Sequence, residues 1–254
     1  MIRSWSKLVA LTTVAGALLA PSAVANAAFP GGNGDIVFGR SSKGQVDIWV
    51  VYAGVTGTKR LTNTPNRNES MPDWNAAGTR IAYVRCSGDD FGNCDIWVMD
   101  ADGSDPTRLT STPGVQETWP SWSPNGSAIA YTSNAQDSFQ DIWVMDANGS
   151  NPVRLTSGPR VDERPDWAPD GIRIVFSRNG NVWVMDADGQ NETQLTDTKQ
   201  DEFAAAFSPN GRRIAFNRLG NDERIGVWVM RDDGSVRVKK TFGRIDFSPD
   251  WQAI

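Results

Sequence analysis

The sequence predicts an all-β protein, a five-bladed β-propeller of four-stranded antiparallel blades, on three observations. The stretch Asp95-Ile96-Trp97-Val98-Met99-Asp100-Ala101-Asp102-Gly103 returns as Asp47-Ile48-Trp49-Val50, Asp141-Ile142-Trp143-Val144-Met145-Asp146, Asn181-Val182-Trp183-Val184-Met185-Asp186 and Gly226-Val227-Trp228-Val229-Met230. Its tryptophans lie 40 to 48 residues apart, a repeat length at which propeller blades are built. Each repeat also carries four short apolar runs bounded by turn residues, the pattern of four strands. Finally, the chain enters at one kind of strand and leaves at another, so its two ends complete a single blade.

The first 27 residues read as a signal peptide. Arg3 and Lys7 form a basic start, Val9 to Ala20 is a short apolar run, and Ala25-Asn26-Ala27 is a small-residue cleavage site. The apolar run is well short of the roughly 20 residues that a spanning helix needs. Residues 28–254 then form a single propeller domain in a secreted or periplasmic protein. The full chain carries 25 basic and 30 acidic residues, and cleavage would remove two of the basic ones. Such an acidic domain repels nucleic acid. Cys86 and Cys94 are the only cysteines and fall in one polar loop, so an oxidising compartment predicts a local disulfide between them.

Within a repeat the four strands are A, B, C and D. Strand A reads Met71-Pro72-Asp73-Trp74, Pro120-Ser121-Trp122, Pro165-Asp166-Trp167, Ala205-Ala206-Phe207 and Pro249-Asp250-Trp251. The turns Pro124-Asn125-Gly126, Pro169-Asp170-Gly171 and Pro209-Asn210-Gly211 then lead tightly into strand B, because Pro presets φ and Gly accepts a positive one. Strand B runs through Asp35 to Phe38, Arg80 to Arg85, Ile129 to Tyr131, Ile174 to Phe176 and Ile214 to Phe216. Strand C holds the tryptophans, and strand D is the Arg-Leu-Thr segment seen at Arg60-Leu61-Thr62 and Thr107 to Thr110. The Asp-Ala-Asp-Gly runs between C and D superficially resemble calcium loops. They are far shorter than the roughly twelve residues such a loop needs, and turn chemistry accounts for them.

These residues resemble the propeller repeat of the TolB family, whose pattern is close to P-S/D-W-S-P-D/N-G-x-x-I-A-F/Y, then D-I-W-V-M-D-A-D-G, then L-T. The resemblance spans Gly32 to Gln252 and implies a WD-repeat-like propeller. The family's namesake has six blades; the strand count here predicts five, closed by the N-terminal B strand and the C-terminal A strand.

In this topology the A–B and C–D connections share one face, made of short turns. The B–C and D–A connections share the other, which carries the uneven segments Cys86 to Cys94, Ser111 to Glu117, Asn134 to Gln140 and Leu219 to Arg224. Uneven loops on a regular scaffold are where binding concentrates. A carboxylate stands three residues before each A-strand proline or its alanine equivalent: Glu69, Glu117, Asp162, Glu202 and Asp246. These five acids form a candidate ring at the channel mouth, able to hold a cation, an ammonium group or a basic peptide. The competing reading pairs them in-blade with Arg40, Arg85, Arg178 and Arg218, which follow the B-strand aromatics. Only Glu117 faces a serine, Ser133, and Trp119 is the one aromatic at its place among the repeats.

A chain without histidine has no Ser-His-Asp triad and no imidazole metal site. No catalytic residue, metal or cofactor is expected. The resemblance and the face asymmetry imply an exported, non-enzymatic binding or scaffold protein. It would be a monomer without a membrane span, engaging a protein or peptide partner in the cell envelope or outside the cell. The alternative is a carbohydrate-active protein, glycosidase or lectin, using the channel-mouth carboxylates.

Overall fold

The computed structural model describes residues 34–241, apart from 43, 55, 88–89, 137 and 222–223. Nineteen strands group into five antiparallel sheets set side by side as blades. Blade one holds β1 (Ile36–Ser42), β2 (Gln45–Val51) and β3 (Lys59–Arg60). Blade two holds β4 (Arg67–Trp74), β5 (Arg80–Ser87), β6 (Asp90–Asp100) and β7 (Thr107–Arg108). Blade three holds β8 (Glu117–Trp122), β9 (Ala128–Ser133), β10 (Asp141–Asp146) and β11 (Val153–Arg154). Blade four holds β12 (Asp162–Trp167), β13 (Arg173–Arg178), β14 (Asn181–Asp186) and β15 (Thr193–Gln194). Blade five holds β16 (Glu202–Phe207), β17 (Arg213–Leu219), β18 (Ile225–Arg231) and β19 (Val238–Lys239). The fold is a five-bladed β-propeller. The closing strand expected at Pro249 to Trp251 lies outside the described residues.

Successive blades pack face to face from blade one to blade five, so the strands of blades two, three and four are buried on both sides. That is why Ile-Ala-Tyr-Val and Ile-Trp-Val-Met run apolar without alternation. Val37, Ile48 and Val50 of blade one bury against Trp74, Ile81, Tyr83 and Met99 of blade two. Blades two and three meet the same way around Trp122, which is 1% exposed. Removing a side chain of that size from such a boundary costs about 3–5 kcal/mol. The A strands β4, β8, β12 and β16 also touch one another in succession, which puts them innermost, while the two-residue D strands form the exposed rim.

Strand D is shorter than its sequence suggests, and the reason is chemical. After Arg108 the chain turns inward, and Leu109 and Thr110 both direct their N–H groups to the Ile96 carbonyl. The hydroxyl of Thr110 accepts the Ile96 N–H at 2.9 Å, so a side chain replaces the ladder. Thr62, Thr156, Thr196 and Thr241 do the same in the other blades, which explains the repeated Leu-Thr.

The structure also corrects the expectation of a cysteine loop. Cys86 and Cys94 are disulfide-bonded, and they face each other in the β5–β6 ladder, which continues past them. The hairpin is stapled within its paired part.

Every described A strand carries a bulge. The register slips between Ser70 and Asp73, Thr118 and Ser121, Glu163 and Asp166, and Phe203 and Ala206. Met71, Trp119, Arg164 and Ala204 sit there with φ between 51° and 57°, a left-handed conformation that L residues seldom take. On the short-turn face, Gly103 has φ +92°, and a Cβ there would lie 2.8 Å from the Leu61 carbonyl oxygen of the preceding blade. Gly149 stands in the same relation to Leu109, so the C–D turns lock neighbouring blades together.

Candidate binding face across blades two and three

The B–C/D–A face is built from a repeated group of three side chains: an A-strand acid, a B-strand arginine and a C-strand tryptophan. The register sets them side by side, with Glu69 opposite Arg85, Asp162 opposite Arg178 and Glu202 opposite Arg218. Arg85 Nε donates to Glu69 at 2.8 Å, Arg178 grips Asp162 at 2.6 and 2.8 Å, and Arg218 Nε donates to Glu202 at 2.6 Å. Each guanidinium also lies on a tryptophan: Arg85 over Trp97 at 4.0 Å, Arg178 over Trp183 at 4.8 Å and Arg218 over Trp228 at 4.0 Å. Glu69, Asp162 and Glu202 are each 0% exposed. These three acids are therefore internal charges held by their own blades, as the in-blade pairing offered by the sequence has it and not as an open ring.

Arg40 fits the same frame, stacked over Phe38 and Trp49 and donating to Thr58 Oγ1 at 2.9 Å. Its expected partner Asp246 lies outside the described residues.

Blade three departs from the others. Glu117 stands opposite Ser133, is 3% exposed, and has no arginine from its own blade. Burial raises its carboxyl above the usual range, opposed by hydroxyl hydrogen bonds from Thr110 and Thr112 and by the charge of Arg108 across the blade boundary. Trp119, at the bulge, is half-buried, and its ring is covered by Arg164 of blade four at 4.2 Å. Arg164 in turn lies 5.0 Å over Phe203 of blade five, and burial lowers its guanidinium below the ordinary value. Trp119, the one aromatic at its place among the repeats, thus packs against an arginine of the next blade.

Blade two carries a concavity on this face. A cavity of about 290 Å³ opens among Thr64, Arg67, Arg85, Ser87 and Arg108, with Asp95 and Trp97 behind. Arg108 donates to Asp95 at 2.7 Å, and Arg67 donates to the Ser87 hydroxyl at 2.5 Å. Among the described residues no carboxylate pairs with Arg67, and no cluster of His, Cys, Asp and Glu suits a metal ion. No helix among them is long and apolar enough to cross a membrane.

This geometry meets the sequence comparisons at the repeat itself. The family described as the TolB beta propeller domain matches residues 84–253. The chain belongs to that family. Solved TolB structures share the fold. Against TolB from Acinetobacter baumannii the chain is 19% identical with a TM-score of 0.71, covering 83% of this chain and 54% of that one. A putative TolB from Agrobacterium tumefaciens gives 21% identity and a TM-score of 0.68, covering 83% of this chain and 79% of that one. The propeller architecture reaches beyond TolB proteins: an oligogalacturonate lyase from Vibrio parahaemolyticus gives 10% identity and a TM-score of 0.62, covering 86% of this chain and 65% of that one. This chain thus spans only about half the length of the Acinetobacter TolB. No curated protein matched the sequence.

The TolB-type repeat also hides a second ion pair that sequence reasoning missed. The aspartate that opens each Asp-Ile-Trp-Val run meets the D-strand arginine 13 positions later, as Asp47–Arg60, Asp95–Arg108 and Asp141–Arg154. The signal was present: blade four changes both positions together, to Asn181 and Gln194, and blade five has Gly226 and Lys239. No common residue type marks the left-handed bulge positions.

Proposed function

We propose that this chain is an exported, non-enzymatic scaffold of TolB-like propeller type that engages a protein or peptide partner through its B–C/D–A face. Residues 1–27 act as a cleaved signal peptide, and 28–254 form the working domain, a monomer in the periplasm or outside the cell. The observation that carries the reading is the asymmetry of the two faces. One is closed by short turns whose glycines press on the neighbouring blade. The other presents the stapled β5–β6 hairpin, the exposed Phe139 at 38%, and the blade-two cavity. Membership of the TolB propeller family supports a binding role over a catalytic one. A glycosidase needs two carboxylates in unlike environments at a set spacing, whereas Glu69, Asp162 and Glu202 are each locked to an arginine. Glu117 and Trp119 stay on the partner-facing side of this proposal as the members of the set without an in-blade cation.

A photo-crosslinking amino acid placed at Gln136 or Phe139 samples the proposed face, and at Asn125 or Ile172 the opposite one. All four positions are exposed. Adducts with envelope or culture-fluid proteins should form from the first pair. Adducts confined to the second pair, or absent from both, would sink the reading.

A further inference from the structure

In blade four, Arg178 holds two carboxylates. One is Asp162 on the adjacent A strand. The other is Glu192, just before β15, which meets Nη2 at 2.9 Å and also contacts Nη1. The Arg178 hydrogen bond, opposed by partial burial and aided by the charges of Arg178 and Arg160, holds the Glu192 carboxyl below the usual range.

Blade two repeats the arginines but not this second acid. Arg85 takes the place of Arg178, opposite an A-strand acid and over a C-strand tryptophan. Arg67 takes the place of Arg160, two residues before that acid. The position of Glu192 falls to Pro106, and the arginines border the open cavity instead.

We propose that this cavity binds a carboxylate side chain, an aspartate or glutamate of a protein partner, as blade four binds its own Glu192. The inference rests on the partner-binding reading of this face and names the chemistry of the contact. The charges support it. Arg85 is engaged by Glu69 and by the Tyr83 hydroxyl, and Arg108 by Asp95. Arg67 is exposed and donates to Ser87, and among the described residues its charge is the surplus. A guanidinium offers paired donors matched to a carboxylate, and the Thr64 and Ser87 hydroxyls add further polar contacts. The Trp97 ring is covered by Arg85 at 4.0 Å, so the cavity has no bare aromatic wall for a sugar to stack on. That favours an acidic side chain over an acidic sugar.

The test follows the arginine Nε–H signals of the purified protein by NMR while N-acetyl-glutamic acid α-amide is added. Its neutral glutamine counterpart, galacturonate and inorganic phosphate serve as parallel arms. The expected result is a saturable shift of Arg67 and Arg85 with the glutamate probe and none with the glutamine one. Binding should weaken by about tenfold or more in Arg67→Gln, a loss of at least about 1.4 kcal/mol. It should vanish in Pro106→Glu, whose own carboxylate fills the cavity. Equal response to both amides, no saturation, or tighter binding of galacturonate or phosphate overturns the assignment. Crosslinking from Gln136 and Phe139, run on the same protein, separates the two ideas. Partner capture without a glutamate response sinks the cavity alone, whereas a glutamate response without capture upholds the cavity and sinks the partner reading.

Discussion

Blades two and three are built on the same plan and differ in their charges. Among the described side chains at the face end of blade two, Arg67, Arg85 and Arg108 surround Glu69 and Asp95, three cations against two acids. At the equivalent places in blade three, Val115 and Ser133 replace two of those arginines, leaving Arg154 with Asp141 and the buried Glu117. The backbone is the same; two substitutions reverse the local balance. The repeat therefore sets where the side chains stand, and the departures from it set what the face can attract.

The largest test of this contrast removes the acids. Glu69→Ala strands the Arg85 guanidinium and should cost about 3 kcal/mol, the low end for a broken buried pair because Arg85 keeps some solvent. Glu117→Gln breaks no hydrogen-bonded ion pair, and the stability read from its urea transition should change by less than about 1 kcal/mol. Equal losses would erase the distinction between the blades. Replacing Cys86 and Cys94 by serine should destabilise by about 2.5 kcal/mol in the chain-entropy view of so short a loop. Amide exchange should then quicken in β5 and β6 before it does in β9 and β10.

A pH series sharpens the contrast at the inner strands. Asp73 and Asp166 accept the backbone N–H of Trp122 and Phe207 across their blade boundaries, whereas blade three has Ser121 at this position. Burial pushes the Asp166 carboxyl up to about 7, against hydrogen bonds from Phe207 and Ser121. Although the residue keeps partial exposure, the strands around it exclude most water. A carboxyl whose folded value is raised holds its proton more tightly in the native state. Its contribution is thus fully present below about pH 4, is lost as pH rises towards about 7, and stays flat above. Asp166→Asn should flatten that slope in thermal melts across pH 4–8; an unchanged slope would assign it elsewhere. The smallest effect concerns the Leu-Thr hydroxyls. Thr110→Val loses both the oxygen that accepts the Ile96 N–H and a donor to Glu117. It should cost about 2 kcal/mol, against about 1 kcal/mol for Thr62→Val, read as the difference in urea midpoints.

Much of the architecture was legible because it rests on local rules repeated five times. Short apolar runs bounded by turn residues, Pro-Asn-Gly turns and a tryptophan every 40 to 48 residues leave few alternatives. The pairing of Glu69, Asp162 and Glu202 with Arg85, Arg178 and Arg218 follows from hairpin register alone. Other features depend on approach between distant segments. Arg164 reaching over Trp119 needs two blades and a left-handed bulge, for which Met71, Trp119, Arg164 and Ala204 share no side-chain chemistry. The surplus at Arg67 is visible only when blade two is laid on blade four and Pro106 is seen to stand where Glu192 does.

The contact of Gly103 with the Leu61 carbonyl, and of Gly149 with that of Leu109, also constrains how such a chain can diverge. A turn clamped by its neighbour cannot gain a residue without prising two blades apart. Insertions and length drift are thereby channelled to the opposite side of the disc, so novelty can accumulate there while the ring keeps its shape.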